Sequence, residues 1–358
     1  MLSRNLTHLQ PVAVILLVAL GGYVAVSTLP SVRACDVCDF LRTLGTRGSG
    51  SGQFDDPEGI AVDSSGNVYV TDVKLNRVQK FDASGKFLLQ WGSYGTDNGQ
   101  FSVPVGVAVD SSGNVYVADF SGNRVEKFDG SGKYLLQWGS KGTGNGQFDG
   151  AVGVAVDAQG NVYVADYRNS RVEKFDSSGK FILQWGSKGT DRGQFNNPAG
   201  VAVDRSGNVY ITDEKLSRVA KFDSSGKFLL QWGSYGTDKG QFAGPVGVAV
   251  DSSGNVYVAD EQNNRVEKFD GSGKFILQWG SNGFGNGQFH APVGVAVDAQ
   301  GNVYVTDALN SRVQLFADPI STSGPSWTNI LAQNSLIVIV AVLALAVALG
   351  VIAIRAKE

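Results

Sequence analysis

The sequence predicts an all-β fold, a six-bladed β-propeller with four antiparallel strands per blade, and three observations lead there. The tripeptide GQF recurs, ending at Phe54, Phe101, Phe148, Phe195, Phe242 and Phe289, a step of 47 residues each time. Each unit holds four short apolar runs separated by turn residues. The sixth unit stops one run short, and the missing run stands ahead of the first unit.

In the second unit the runs are VGVAVD, NVYVAD, RVEKFD and YLLQWG. Each is too short for a helix and rich in β-branched or aromatic residues, so each reads as a strand. The separators DSSGN and DGSGK supply the Asp, Ser and Gly that tight turns with positive φ require. A unit of four antiparallel strands is a propeller blade, and a period without insertions means identical blades joined by identical connections.

Ring closure follows from the strand count. Residues 40–45, FLRTLG, lie 47 residues before FLLQWG at 87–92, while the sixth unit ends after RVQLFAD. The early segment is therefore expected to pair with residues 312–316 as the fourth strand of blade six. That pairing would remove two open sheet edges and tie the first blade to the last. The propeller domain is placed at residues 35–318.

Six Asp–Arg pairs recur at a spacing of five: Asp72 with Arg77, Asp119 with Arg124, Asp166 with Arg171, Asp213 with Arg218, Asp260 with Arg265, and Asp307 with Arg312. They flank the connection between strands two and three, where a charged hydrogen bond could pin the hairpin. Six copies of one chemistry suit a scaffold. The tryptophans Trp91, Trp138, Trp185, Trp232 and Trp279 are expected to pack the outer strand of a blade on its neighbour.

Composition excludes several functions. Among 358 residues Gly is 47 and Pro only 9, with 10% aromatics, which is neither a disordered nor a collagenous composition. The net charge of -3 argues against nucleic acid as a partner, because such a binder shows a basic face. His8 and His290 stand far apart, and Cys35 and Cys38 form a CDVC pair ahead of the repeats, so a zinc site is poorly supported. The Cys pair reads as a local disulfide or a redox-inert pair. No cofactor is expected, calcium being the one alternative.

The termini carry apolar runs. Residues 336–354 are nineteen apolar residues followed by Arg355 and Lys357, which predicts a transmembrane helix with residues 355–358 as a cytoplasmic tail. Residues 1–34 read as a signal peptide or an N-terminal membrane anchor, and residues 319–335 as a short linker, so hydrophobic helices are expected at both termini beside the propeller. These readings place the chain at the cell membrane with its propeller extracytoplasmic and its lower face toward the lipid.

The blades differ mainly in the loops where strand one begins and strand two ends. Loops on a rigid scaffold are where binding usually resides. The candidates there are Asp55, Asp56, Glu58, Lys74, Phe120, Tyr167, Arg168, Glu214, Lys215, Glu261, Gln262 and His290. This mixed, mildly acidic surface suits a protein, peptide or glycan partner better than RNA.

The pattern P-x-G-V-A-V-D-x-x-G-N-V-Y-V-x-D-x-x-N-x-R-V-x-x-F, which begins at Pro104 and ends at Phe128, resembles the NHL-repeat family of β-propellers. The family includes RNA-binding propellers, sensor propellers of receptor kinases and a metal-associated peptide-amidating lyase. The resemblance implies the propeller fold and leaves function open. The lyase kind places histidines at the channel, where this chain offers only His290. The expectation is a membrane-tethered recognition module that is not an enzyme. A calcium-dependent hydrolase or lyase in the central channel, or an adhesion scaffold, are the alternatives.

Overall fold

The computed structural model describes residues 18–20, 23–25 and 39–317. Six four-stranded antiparallel sheets form the ring; five are ordered from inner to outer strand as in the sequence, and the sixth takes its outer strand from ahead of the first blade. Blade one comprises Pro57–Val62, Val68–Asp72, Arg77–Phe81 and Phe87–Trp91. The second strand is buried along its whole length in all six blades, which explains its unbroken Val and Tyr content.

The turns form for local reasons. In blade one the Asp63 carboxylate accepts the backbone N–H groups of Ser65 and Asn67, each at 2.9 Å, and then the Asn67 amide and the Tyr69 hydroxyl. Gly66 follows at φ 81°, a conformation that a β-carbon would strain. The DSSGN signature is thus a turn closed by its own first residue.

Closure occurs as the strand count requires. Asp39–Leu44 pairs antiparallel with Arg312–Ala317, with Val313 opposite Leu44, Gln314 opposite Thr43 and Ala317 opposite Asp39. The two ends of the ring therefore lie side by side.

The core lies between blades rather than inside one. Ala155, Tyr163 and Trp185 of blade three pack with Phe195, Val201 and Phe222 of blade four. The Trp185 ring stands 5.8 Å from Phe222, and Trp279 makes the same contact with Phe316. Such tilted aromatic pairs add about 0.5–1.5 kcal/mol beyond simple burial.

Near the axis the innermost strands approach closely. A β-carbon added at Gly59, Gly106, Gly153, Gly200, Gly247 or Gly294 would lie 2.1–2.3 Å from a carbonyl oxygen of the next blade. Glycine there is what lets six strands converge. The last contact, Gly294 against the Glu58 carbonyl, is between blades six and one, so the ring is continuous.

One part of the predicted architecture is corrected. In the N-terminal apolar run, Val18–Leu20 pairs antiparallel with Tyr23–Ala25 as a two-stranded sheet, not as a helix. Gly21 and Gly22 stand between the strands in sequence, and paired glycines favour a two-residue hairpin. Among the described residues the helical element is the single turn Ala308–Asn310, and no helix is long and apolar enough to cross a membrane. Terminal hydrophobic helices are therefore no part of the fold described. The inferences that rested on them are withdrawn: membrane tethering, the membrane as a partner through a C-terminal helix, and an extracytoplasmic propeller with a cytoplasmic tail. Length and hydropathy alone do not separate a spanning helix from paired strands. The run at 336–354, the rest of residues 1–34, the Cys35–Cys38 pair, the linker 319–335 and the tail 355–358 lie outside the described residues.

Candidate functional site: the upper mouth of the channel

The upper mouth is the end at which each innermost strand begins. Its first tier is the residue before the axial glycine: Glu58, Val105, Val152, Ala199, Val246 and Val293. These residues and the glycines line a cavity of about 60 Å³ with apolar walls. Glu58 is the one charged side chain in that tier. Its carboxylate has no hydrogen-bond or ion-pair partner among the described residues. Burial pushes its pKa up to about 7, and the negative charges of Asp56 and Glu261 push in the same direction.

A second tier comes from the first residue after strand two: Val73, Phe120, Tyr167, Glu214, Glu261 and Ala308. The equivalent residues of blades two, three and four touch here. Phe120 and Tyr167 meet edge to face at 6.1 Å, and the Tyr167 hydroxyl donates to Glu214 at 2.5 Å. Glu214 in turn raises the pKa of Glu261, after the larger effect of burial. The tier therefore has an aromatic arc over blades two and three and an acidic arc over blades four and five.

Cations lie outside this tier. Arg168 covers the Phe120 ring at 4.8 Å and pairs with Asp149 at 3.2 Å. Lys215 holds Glu214 at 2.7 Å, while Lys74 reaches Asp55 and Asp56 only loosely, at 3.7 Å each. Among the described residues Glu261 and Glu58 have no ion pair, although the Lys215 charge acts on Glu261. Gln262 lies over Gly244. His290 turns to the outer rim, where its ring meets the exposed Phe284 edge to face at 6.2 Å.

The recurring Asp–Arg residues do a different job below the loops. Asp166 and Arg171 sit opposite each other in register and pair at 2.8 Å, as do Asp260 and Arg265; Asp307 and Arg312 pair at 2.7 Å. The contact loosens to 3.5 Å between Asp119 and Arg124 and 3.7 Å between Asp72 and Arg77. In blade four Arg218 acts on Asp213 only through its charge, which partly offsets a burial effect that lifts Asp213 to about 6. Each Arg also donates to carbonyls of the preceding inter-blade loop: Arg171 bonds those of Thr143, Gly144 and Gln147. Each Asp accepts backbone N–H ahead of strand one, as Asp72 does from Asp55 and Asp56. One pair thus ties together a hairpin, a loop and the edge of the mouth.

Sequence reasoning missed three buried carboxylates. Glu126, Glu173 and Glu267 occupy one position of strand three, and burial pushes each up to about 7. Blades one and six carry Gln79 and Gln314 there and blade four Ala220, a variation visible in the repeats.

A calcium site in the channel is not supported. Among the described residues no group of three His, Cys, Asp or Glu side chains could hold a metal ion. Calcium takes six to eight oxygens, whereas Glu58 meets an aliphatic collar and Asp55 and Asp56 lie against Lys74.

Comparison with known proteins agrees with the geometry. The NHL repeat matches residues 54–81, 101–128, 148–175, 195–222, 242–269 and 289–316, one stretch in each blade. No curated protein sequence matches the chain. Among solved structures, a streptogramin B lyase aligns over 76% of this chain and 96% of its own with a TM-score of 0.56 and 14% identity. A gluconolactonase from Xanthomonas campestris aligns over 78% and 97%, at 0.56 and 14%. A protein of unknown function from Bacteroides thetaiotaomicron aligns over 78% and 73%, at 0.57 and 21%. At these identities the likeness is one of fold. The chain is an NHL-repeat six-bladed β-propeller.

Proposed function

We propose that this propeller is a recognition module that binds its ligand in the funnel at the upper mouth. One observation carries the reading: the six blades are nearly alike where they build the scaffold, and they diverge where their residues meet at the axis. A scaffold would gain nothing from Phe120, Tyr167, Glu214 and Glu261 at one structural position. A half-buried carboxylate at Glu58 with no hydrogen-bond or ion-pair partner among the described residues is likewise unhelpful to folding, because desolvating an unpaired charge is destabilising. Binding is favoured over catalysis because Glu58 has no hydrogen-bonded partner to orient it as a base.

A thermal-shift screen of a mixed peptide and metabolite library tests this on the full chain. Three proteins are compared: wild type, Tyr167→Ala at the mouth, and Ser64→Ala in a lower turn. Ligands that stabilise wild type and the Ser64 variant, but not the Tyr167 variant, support the funnel. Ligands that stabilise all three alike would sink it.

A further inference from the structure

The funnel has a charge pattern that narrows what it can take. Lys74 pairs with Asp55 and Asp56 and Lys215 with Glu214, which leaves Glu58 without an ion pair among the described residues and in the field of Asp56 and Glu261, while the Lys215 charge offsets only part of what burial and Glu214 do to Glu261. Anions are repelled from such a mouth. A hydrated metal ion finds no converging oxygens among the described residues. The collar beneath Glu58 is apolar, holds only about 60 Å³, and ends on the ring of axial glycines, so a charge entering from above stops at the level of Glu58. The aromatic arc already accepts a cation from the chain itself, Arg168 over Phe120 at 4.8 Å.

From this placement we infer that the mouth binds an alkylammonium group, from a lysine side chain or a free polyamine, with Glu58 as its counter-charge. The inference rests on the recognition reading above. The ammonium sits between Glu58 and Glu261, and its alkyl stem lies along the Phe120–Tyr167 wall. Burial and like charge make the empty Glu58 carboxylate hold its proton near neutral pH, and an incoming cation displaces that proton. Asp56, Glu214 and Glu261 share the field from the acidic side, and Lys74, Arg168 and Lys215 from the basic side.

Titration calorimetry on the full chain at low salt provides the test. The probes are Nα-acetyl-lysine methylamide, its ε-acetylated neutral counterpart, spermidine and hexanoate. Both amines are expected to bind, the neutral counterpart at least tenfold more weakly, and hexanoate not at all. Tighter binding of spermidine than of the lysine derivative identifies a polyamine as the source, and the reverse identifies a protein side chain. Affinity is expected to rise between pH 6 and pH 8, with protons released into the buffer. Glu58→Gln and Glu261→Gln should each weaken amine binding at least tenfold, with unfolding midpoints checked to show that both variants fold. The inference fails if neither amine binds, if the neutral counterpart binds as well, or if the Glu58 variant binds unchanged. The funnel reading is judged separately by the Tyr167 comparison, so either can fail alone.

Discussion

Leu315 and Arg42 face each other in the closing register of blade six and exchange the roles their counterparts play elsewhere in the ring. In the other five blades this pair is a Lys on strand three opposite a Leu on strand four, as with Lys80 and Leu89. The Lys reaches the next blade: Lys80 donates to the Gly130 carbonyl at 2.9 Å while lying 4.9 Å over the Tyr69 ring. At the seam the cation arrives from the opposite strand. Arg42 donates to the Ala83 carbonyl and stands beside Tyr304, while Leu315 fills the apolar side. The seam keeps the inter-blade bond and draws it from the N-terminal strand.

Arg42→Leu should therefore leave the Ala83 carbonyl without its donor and lower stability by about 1–2 kcal/mol. The double change Arg42→Leu with Leu315→Lys restores the arrangement of the other blades and should recover most of the loss. Denaturant midpoints of the two single variants and the double variant decide it. Additive losses would show that the two positions are not coupled.

A second prediction concerns the three buried glutamates. Glu126 accepts the Gly99 N–H at 2.8 Å and pairs with Arg124 at 2.9 Å. At the same place Gln79 accepts the Gly52 N–H at 2.8 Å and also donates to the Gln53 carbonyl at 2.6 Å. An ionised Glu cannot make that second bond, and a protonated one can. Because burial raises Glu126, Glu173 and Glu267 to about 7, the folded chain binds more protons than the unfolded chain between pH 4.5 and 7. Their contribution to stability is complete below about pH 4.5 and is lost as pH rises through 7. Changing all three to Gln should flatten that decline and raise stability at pH 8 by about 1 kcal/mol per site. Unfolding midpoints at pH 5, 6, 7 and 8 would show it, and an unchanged slope would refute it.

The axial glycines make a sharper demand. A methyl group at Gly153 would lie 2.2 Å from the Ala199 carbonyl and 2.9 Å from the Val201 nitrogen, both backbone atoms. Gly153→Ala should force blades three and four apart and cost about 1–3 kcal/mol, as overpacking does. A thermal midpoint equal to that of wild type would mean that the inner strands are not in contact in solution.

The Asp–Arg clamp gives a fourth expectation. Asp166→Ala removes an acceptor of Arg171 and of the Asp149 N–H, and leaves the buried guanidinium with Glu173, at 3.2 Å, as its remaining carboxylate. The loss should be about 1–3 kcal/mol. The same change at Asp72 leaves Arg77, which has Gln79 where Arg171 has Glu173, with no ion pair among the described residues, and should cost more. Equal losses at both sites would assign the effect to the backbone bonds rather than the ion pair.

Residues with a counterpart 47 positions away were readable in advance. The pairing of Phe40 with Phe316 could be inferred because the same strand exists five more times in the chain. Glu58 was harder. In sequence its neighbours are Asp55 and Asp56, which suggested a single-blade carboxylate group; Asp56 does act on it, but so does Glu261 from four blades along. His290 stood in the right loop, but its ring turned away to Phe284. The N-terminal apolar run was taken for a helix because hydropathy measures burial and not hydrogen-bond partner.

By itself the amino-acid sequence determined the blade, the number of blades and the strand that completes the circle, because turns and strand pairing depend on residues close by or on an exact repeat. Only the tertiary structure decided which side chains meet at the axis. Their meeting depends on how tightly six innermost strands converge, and that distance is set by glycines pressed against carbonyls of the neighbouring blade.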